Sequence, residues 1–223
     1  MKTHYWETRQ SMTAQKALQF LKEGNQRFLK NLRVNRNILQ LVNETAERQF
    51  PFATVLSCSD SRVPVELVFD QGLGDIFSIR LAGNIASNEA IGSMEFACKA
   101  LGSKLILVMG HTGCGAIKGA CDDFKMDNLT RLLEQIKPSV DAETATASDR
   151  NSSNRMFVDN VTKLNIEHQI EMILDTSKII SELAEKNEII IVGAIYEVET
   201  GRVNFFDEIK SIKENEKSEV YEG

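Results

Sequence analysis

The residues of this chain that could do chemistry are concentrated in two short motifs. Residues 58–62 read CSDSR and residues 111–115 read HTGCG. Together the motifs supply two thiols, one imidazole, one carboxylate and one guanidinium. Since the whole chain contains only four cysteines and three histidines, this grouping predicts a dedicated site rather than scattered core residues.

The two thiols and the imidazole match the donor atoms that Zn2+ prefers. Cys58, His111 and Cys114 would be three protein ligands, which leaves one position of a tetrahedral ion open, as in catalytic zinc sites. A structural site would need a fourth ligand, and the remaining cysteines and histidines are poor candidates: Cys98, Cys121, His4 and His168. We therefore predict a catalytic zinc site.

Asp60 and Arg62 follow Cys58 by two and four residues, and the carboxylate has two options. It can bind the zinc as a fourth ligand and close the site, or it can pair with Arg62 and accept a hydrogen bond from a zinc-bound water. Arg62 suits the second role because a guanidinium is always charged and can hold a carboxylate through two bonds.

The charge of the predicted ligand set affects the chemistry of the metal. Two thiolates and a neutral imidazole cancel the charge of the ion, so the zinc should acidify its water less than three neutral histidines would. We expect a water pKa above about 7 and an activity that rises toward alkaline pH.

The spacing of apolar residues predicts the elements that carry these motifs. Runs of β-favouring residues predict strands at 53–57, 75–80, 105–109 and 188–195, with a hairpin strand at 203–206. Helical spacing predicts helices at 12–32, 86–101 and 157–186. The small, polar residues 138–155 predict a mobile loop or a helix connection.

The order of these elements favours one α/β domain with a mainly parallel sheet flanked by helices. The run at 105–109 does not alternate, which indicates a strand covered on both faces. Side chains that follow parallel strands meet at one edge of such a sheet, so neighbouring strands would bring the two motifs together. We assign residues 1–223 to this domain, with a helical arm at 12–32 and a charged tail at 208–223.

Composition excludes several classes of protein. The formal net charge of −6 argues against a nucleic-acid binder, which normally has a basic face. No apolar run approaches the roughly 20 residues needed to cross a bilayer, and the N-terminus lacks a secretory h-region. We therefore expect a cytoplasmic protein whose cysteines stay reduced.

Over roughly residues 12–207 the chain resembles the β-class carbonic anhydrases. The likeness includes ALQFLKEGNQRF near the N-terminus, the CSDSR and HTGCG motifs, and the late segment IVGAIYEVETG. It implies zinc ligands Cys58, His111 and Cys114, with Asp60 and Arg62 as a catalytic dyad. It also implies reversible hydration of CO2 to bicarbonate by zinc-bound hydroxide, in a homodimer or homotetramer whose N-terminal helix embraces the neighbouring subunit.

The resemblance further implies a substrate pocket. Gln49, Phe77 and Phe96 fall where the always-open branch of the family carries pocket residues, although Phe96 replaces a common tyrosine. Val63 would complete an apolar wall. The bicarbonate-regulated branch has a tryptophan three residues before the first cysteine, where this chain has Val55; Arg80 and Tyr196 match the other two regulatory positions. We favour the open branch.

Four alternatives to this interpretation can be weighed from the sequence. The same scaffold could act on CS2 or COS, or it could be a zinc-dependent binding module without activity; the intact Asp60–Arg62 pair argues against the module. The glycine-rich GHTGCGAIKG could suggest a phosphate loop, but it lacks the GK[ST] ending. A cysteine nucleophile beside Arg62 would leave His111 and Cys114 unexplained.

Overall fold

The computed structural model describes residues 11–206; the predicted charged tail at 208–223 lies outside them. The strands are β1 (Ala53–Ser57), β2 (Ile76–Arg80), β3 (Leu105–His111), β4 (Ile190–Tyr196) and β5 (Val203–Phe205). The helices are α1 (Ala14–Leu29), α2 (Ile38–Thr45), α3 (Val65–Val68), α4 (Asn88–Glu95), α5 (Gly115–Cys121), α6 (Asp127–Glu134), α7 (Lys137–Ala142), α8 (Arg155–Thr176) and α9 (Lys178–Glu185). A 3-10 turn (Ala82–Asn84) precedes α4, and a π turn (Phe96–Ala100) continues it.

The sheet has the spatial order β2-β1-β3-β4-β5. The first four strands are parallel, and β5 returns antiparallel to β4 as a hairpin. The predicted α/β class, with a mainly parallel sheet, is confirmed. Ser57, the last residue of β1, pairs with Met109, two residues before the end of β3. The two motifs therefore follow their strands at the same edge of the sheet.

Helices cover both faces of the sheet. Val55 and Leu107 belong to the core on the α1 face, whereas Leu56 and Val108 belong to the core on the face of α4, α8 and α9. All seven residues of β3 are buried, as its unbroken apolar run predicted. Each fully buried aliphatic side chain contributes about 1.5–3 kcal/mol, so these two cores hold the strands in place.

A third apolar cluster lies at the carboxyl edge of the parallel strands. It consists of residues from α5, α6, α7 and the first half of α8, and it includes Cys58 and Cys114. Ile117, Ile136 and Phe157 are its largest fully buried members. The two thiols are therefore enclosed mainly by side chains from residues 117–161.

The predicted N-terminal helix packs on its own domain. Ala17 and Leu21 of α1 are completely buried in the core that contains Val55, and Asn25 of α1 bonds to main-chain atoms of residues 68, 201 and 203. The segment after it contains α2, which is not among the predicted helices; Asn37 caps it by accepting a hydrogen bond from the Gln40 N–H. An asparagine N-cap is the local signal for this helix.

The helix predicted at 157–186 is two helices. Ser177 has an extended backbone (φ −104°, ψ 102°), and its hydroxyl accepts a hydrogen bond from the N–H of Ile180. Apolar spacing continues across this break, so periodicity alone predicts one helix. A serine that caps a new helix is the local signal that the prediction missed.

The polar segment at 138–155 is a helix connection, the second of the two predicted possibilities. It begins inside α7 and is tied down by Glu143, whose buried carboxylate accepts hydrogen bonds from Thr146, Arg150 and Asn160. Within residues 11–206, no helix is both long and apolar enough to span a bilayer.

Candidate metal centre

Three different elements place the three predicted ligands. Cys58 directly follows β1, His111 is the last residue of β3, and Cys114 is the N-cap of α5. Gly113 makes the turn between the last two with a φ of +66°, a conformation that favours glycine. His111 therefore belongs to the strand itself, two residues beyond the predicted end at 109.

The donor atoms fit a tetrahedral zinc ion. The ligand atoms of Cys58, His111 and Cys114 all lie within 4.8 Å of one another, and the two Sγ atoms are 3.9 Å apart. Two sulfurs that each lie about 2.3 Å from one tetrahedral Zn2+ would be about 3.8 Å apart. The observed separation matches that value.

The imidazole of His111 is oriented for metal binding. Its Nδ1 lies 3.1 Å from the carbonyl oxygen of Thr112, so that nitrogen carries the hydrogen and donates it. Its Nε2 is buried and has no hydrogen-bond partner among the described residues. A buried acceptor without a donor is costly, and a metal ion at this position would satisfy it.

Backbone amides stabilise both sulfurs as anions. Cys58 Sγ accepts hydrogen bonds from the N–H groups of Asp60 and Gly83, each at 3.4 Å. The N–H groups of Ile117 and Ala116 at the start of α5 lie on the side of Cys114 where they act to lower its pKa. These donors favour thiolates, which are the form that binds metal.

The two thiols titrate as a pair. The hydrogen bond from Cys114 outweighs the effect of burial and lowers the pKa of Cys58 to about 4. The same contact, together with burial, raises the pKa of Cys114 above its ordinary value. One thiolate is thus readily available, whereas the second proton leaves when a cation offsets the added charge.

The predicted dyad forms a two-bond clamp beside these ligands. Arg62 donates from Nε to Asp60 Oδ1 at 2.9 Å and from Nη2 to Oδ2 at 2.7 Å. This clamp holds the pKa of Asp60 well below its usual range. Asp60 Oδ2 lies 3.8 Å from His111 Nε2, so the carboxylate lies beside the three candidate ligands while Arg62 binds both of its oxygens.

Arg80, which the family resemblance matched to a regulatory position, instead contacts the main chain of the site. It donates from Nε to the Cys58 carbonyl at 3.2 Å and from Nη2 to the Asp60 carbonyl at 2.6 Å. These bonds fix the main chain between the first ligand and the dyad. Arg80 is the last residue of β2 and pairs with Ser57 at the end of β1. Its contact with the site can be predicted only once that strand pairing is known.

The four predicted substrate residues do not meet at the metal centre within one chain. Val63 lies next to the dyad, and its side chain is fully buried in the core on the α1 face. Gln49 lines a cavity with Ala100 and Leu101, at the opposite edge of the sheet.

The two aromatic candidates form a pair on the flank of the sheet. The rings of Phe77 and Phe96 are 6.3 Å apart between centroids, and Phe96 is 51% exposed. Phe77 lies on β2, an edge strand of the sheet. The pair is therefore available to a neighbouring molecule rather than enclosed beside Cys58.

A groove of about 380 Å³ opens next to the dyad. Its lining includes Arg62, Thr112, Gly113, Lys118 and Asp159. The groove therefore opens the Arg62 side of the dyad to solvent.

The fold and the site define an α/β protein with a buried Cys-His-Cys group at the carboxyl edge of its sheet, and comparison with known proteins agrees. The carbonic anhydrase family model matches residues 53–203. Carbonic anhydrase 2 of Mycobacterium tuberculosis is 33% identical over 202 residues, covering 87% of this chain and 93% of that protein. The carbonic anhydrase of Mycolicibacterium smegmatis is 32% identical over 201 residues, covering 87% and 94%.

Solved structures extend the likeness to the whole fold. The β-carbonic anhydrase CcaA is 26% identical, with a TM-score of 0.67 over 86% of this chain and 98% of that chain. The β-carbonic anhydrase CafA of Aspergillus fumigatus has the same fold, with a TM-score of 0.69 at 23% identity over 78% and 83%. This chain belongs to the carbonic anhydrase family, in its β class. The predicted enzyme class, a lyase of the carbonate dehydratase type, is confirmed with it.

Proposed function

We propose that this protein is a zinc-dependent carbonic anhydrase that reversibly hydrates CO2 to bicarbonate and a proton. The observation that carries the proposal is the group of Cys58, His111 and Cys114, with their ligand atoms within 4.8 Å and the Asp60 carboxylate held beside them. A zinc ion with three protein ligands supplies a hydroxide nucleophile near neutral pH by lowering the pKa of water.

Asp60 then controls the orientation of the nucleophile. Because Arg62 keeps the carboxylate ionised, Asp60 can accept a hydrogen bond and cannot donate one. With zinc bound, Asp60 would therefore accept the hydrogen of the nucleophile and leave one of its lone pairs free for the substrate. Fixing that orientation in advance removes part of the entropic barrier to attack on CO2.

The Arg62 clamp also supports the open form of the site. The guanidinium binds both Asp60 oxygens, so a move of the carboxylate onto the metal as a fourth ligand would cost these two charge-assisted hydrogen bonds. Val55 is fully buried among core residues, and Arg80 is occupied by main-chain carbonyls. These positions favour the always-open branch over the bicarbonate-regulated one.

Gln49 supports the proposal that two subunits share each active site. Eight residues separate it from Cys58, and the five of β1 alone span about 17 Å at 3.3 Å per residue. A glutamine that contacts CO2 at this metal centre must therefore come from a second copy of the chain. The exposed Phe77–Phe96 pair on the open flank of β2 offers an apolar surface for that copy, in a homodimer or in a homotetramer of two such dimers.

Mixed dimers test this shared site. In a heterodimer of an Asp60→Asn chain and a Gln49→Ala chain, sharing leaves one site with both changes and one site intact. We expect such heterodimers to recover about half of the wild-type activity, although each homodimer is impaired. Heterodimers no more active than the mean of the two homodimers would place Gln49 in its own chain or outside the reaction.

The main test is stopped-flow CO2 hydration across neutral and alkaline pH, together with zinc analysis. We expect one zinc per chain and an activity that increases with pH. Asp60→Asn should keep the zinc and lose most turnover, while the matched surface variant Asp123→Asn should keep both. Full zinc without hydration at any pH would reject the enzyme in favour of a binding module, and parallel assays with CS2 and COS would identify side substrates.

We also propose a cytoplasmic location. The four cysteines are free thiols, and two of them must stay reduced to bind zinc, which the cytoplasm favours. Cell fractionation with an antibody against the protein tests the location directly.

A further inference from the structure

A buried chain of hydrogen bonds links the middle of α8 to one of the candidate metal ligands. Asn165 donates from Nδ2 to the carbonyl oxygen of Gly83 at 3.0 Å. The N–H of Gly83 donates in turn to Cys58 Sγ at 3.4 Å. Asn165 is 0% exposed, so water does not compete for these bonds.

Gln169 extends this chain by one helical turn. Its Nε2 donates to Asn165 Oδ1 at 3.2 Å, and its Oε1 accepts the N–H of Ala86 at 2.8 Å. Because the Asn165 oxygen is occupied by Gln169, its NH2 group is the one that faces Gly83. Both ends of the segment 83–86 are therefore tied to α8.

Gly83 is the residue in this series of hydrogen bonds whose backbone conformation is the most demanding. Its φ is +70°, and a Cβ atom at this position would lie 2.8 Å from Ile136 Cδ1. The other amide on Cys58 comes from Asp60, only two residues away, and those on Cys114 come from its own helix. Gly83 is 25 residues from Cys58 and reaches the sulfur only through tertiary structure.

We propose that Asn165, oriented by Gln169, is a positioning residue for the metal centre, which holds Gly83 so that its N–H donates to the Cys58 sulfur. The inference rests on the zinc site proposed above and concerns residues that touch neither metal nor substrate. An N–H donor withdraws electron density from a thiolate, which keeps it anionic and keeps the bound metal electrophilic. Partners of this kind affect metal affinity by about 10–100-fold.

The substitution Asn165→Leu tests this series of hydrogen bonds. Leucine preserves the size and branching of the asparagine side chain but removes its donor and acceptor. We expect Co2+ to bind about ten-fold more weakly and to dissociate faster. The sulfur-to-cobalt charge-transfer band should move to lower energy, because a thiolate that has lost an N–H donor is easier to oxidise. Neither readout requires catalytic activity.

Thr162→Val is the matched control. Thr162 is buried on α8 one turn before Asn165, and its hydroxyl donates to the Val158 carbonyl within the same helix. The variant also loses a buried hydrogen bond, but that bond does not lead to Cys58. We expect wild-type cobalt affinity and an unshifted band.

The outcomes separate this inference from the proposed function. Wild-type affinity and an unshifted band in Asn165→Leu would overturn it, and so would an equal change in Thr162→Val, because the effect would then be a general loosening of α8. If Asn165→Leu does not fold, Gln169→Leu should move the band in the same direction by less, and an unshifted band there would overturn the inference. Wild-type protein that binds no Co2+ would instead reject the zinc site itself.

Discussion

Arg62 donates two hydrogen bonds to Asp60, one to each carboxylate oxygen, at 2.9 and 2.7 Å. Oδ2 of the same carboxylate lies 3.8 Å from His111 Nε2. The Arg62 side chain is more than half exposed, so this ion pair lies at the protein surface. Exposed pairs of this kind add little stability. Its value lies in aiming the carboxylate, which makes its loss a matter of activity rather than of folding.

Replacing Arg62 by lysine should separate the effect of the ion pair on activity from its effect on folding stability. An ammonium group cannot make two parallel bonds to one carboxylate, so Asp60 would lose its fixed orientation. We expect CO2 hydration to fall by about 10–100-fold, as for a misplaced catalytic group, with unchanged zinc content and thermal stability. Wild-type activity in this variant would show that the clamp has no part in the reaction.

Cys114→Ser should remove the metal without removing the helix that follows it. Cys114 is the N-cap of α5, and serine is a good N-cap but remains a protonated, weak ligand. We expect the zinc content to fall from one per chain to near zero, with wild-type far-UV circular dichroism. Cys121→Ser, which makes the same change later in the same helix, should keep the zinc, and a variant at 114 with full zinc would contradict the ligand assignment.

Removal of zinc by a chelator should abolish activity and leave the fold intact. Cys58 and His111 lie at the ends of strands that two apolar cores hold in place, and Cys114 begins a helix packed in the third cluster, so the metal is not needed to form these elements. We expect native secondary structure in the metal-free protein, a melting temperature that rises with added zinc by mass action, and recovery of activity on reconstitution. Unfolding on chelation would instead indicate a structural role for the ion.

Asp70→Asn should destabilise the protein in a pH-dependent way. Asp70 is buried and accepts bonds from Arg27 Nε at 2.6 Å and Arg36 Nη1 at 2.7 Å. Burial raises its pKa, but the bonds from Arg27, Arg36 and the Val34 N–H outweigh burial, and the pKa is lowered overall. Its contribution to stability is therefore present above the unfolded pKa of about 3.9 and is lost as pH falls through the lower folded pKa.

Urea unfolding at a series of pH values, at one protein concentration, checks this prediction. We expect Asp70→Asn to lower the free energy of unfolding by about 3 kcal/mol at neutral pH, and the difference to disappear in strong acid. The control is Asp123→Asn, because Asp123 pairs with Lys125 at 3.0 Å and is largely exposed. It should cost less than about 1 kcal/mol; equal losses at the two positions would refute the argument.

Glu143→Gln should loosen the connection between α7 and α8. The Glu143 carboxylate is buried and bonds to Thr146, Arg150 and Asn160, and an amide cannot accept from all of them. We expect a loss of about 1–3 kcal/mol and faster hydrogen exchange in residues 143–154. Glu167→Gln, which removes only an exposed pair with Lys163, should leave this exchange unchanged.

Local patterns in the sequence determined the sheet and the ligand set. The apolar runs at 53–57 and 105–109 needed only the rule that buried strands are continuously apolar. Cys58, His111 and Cys114 could be selected by donor chemistry and by the ends of those strands. The sheet is confirmed, and the three candidate ligands lie together; both inferences depend on residues close to a strand or its end.

Tertiary structure decided the rest, because the remaining relationships join residues far apart in the chain. The order imposed by Glu143 depends on a buried partner as distant as Asn160, which apolar spacing does not record. The separation of Gln49 from Cys58 follows from the strand between them, and the bond from Gly83 to Cys58 lies in a left-handed turn to which Asn165 of α8 is hydrogen bonded. Donor type can be read from the sequence, but the direction in which each donor points is set by packing.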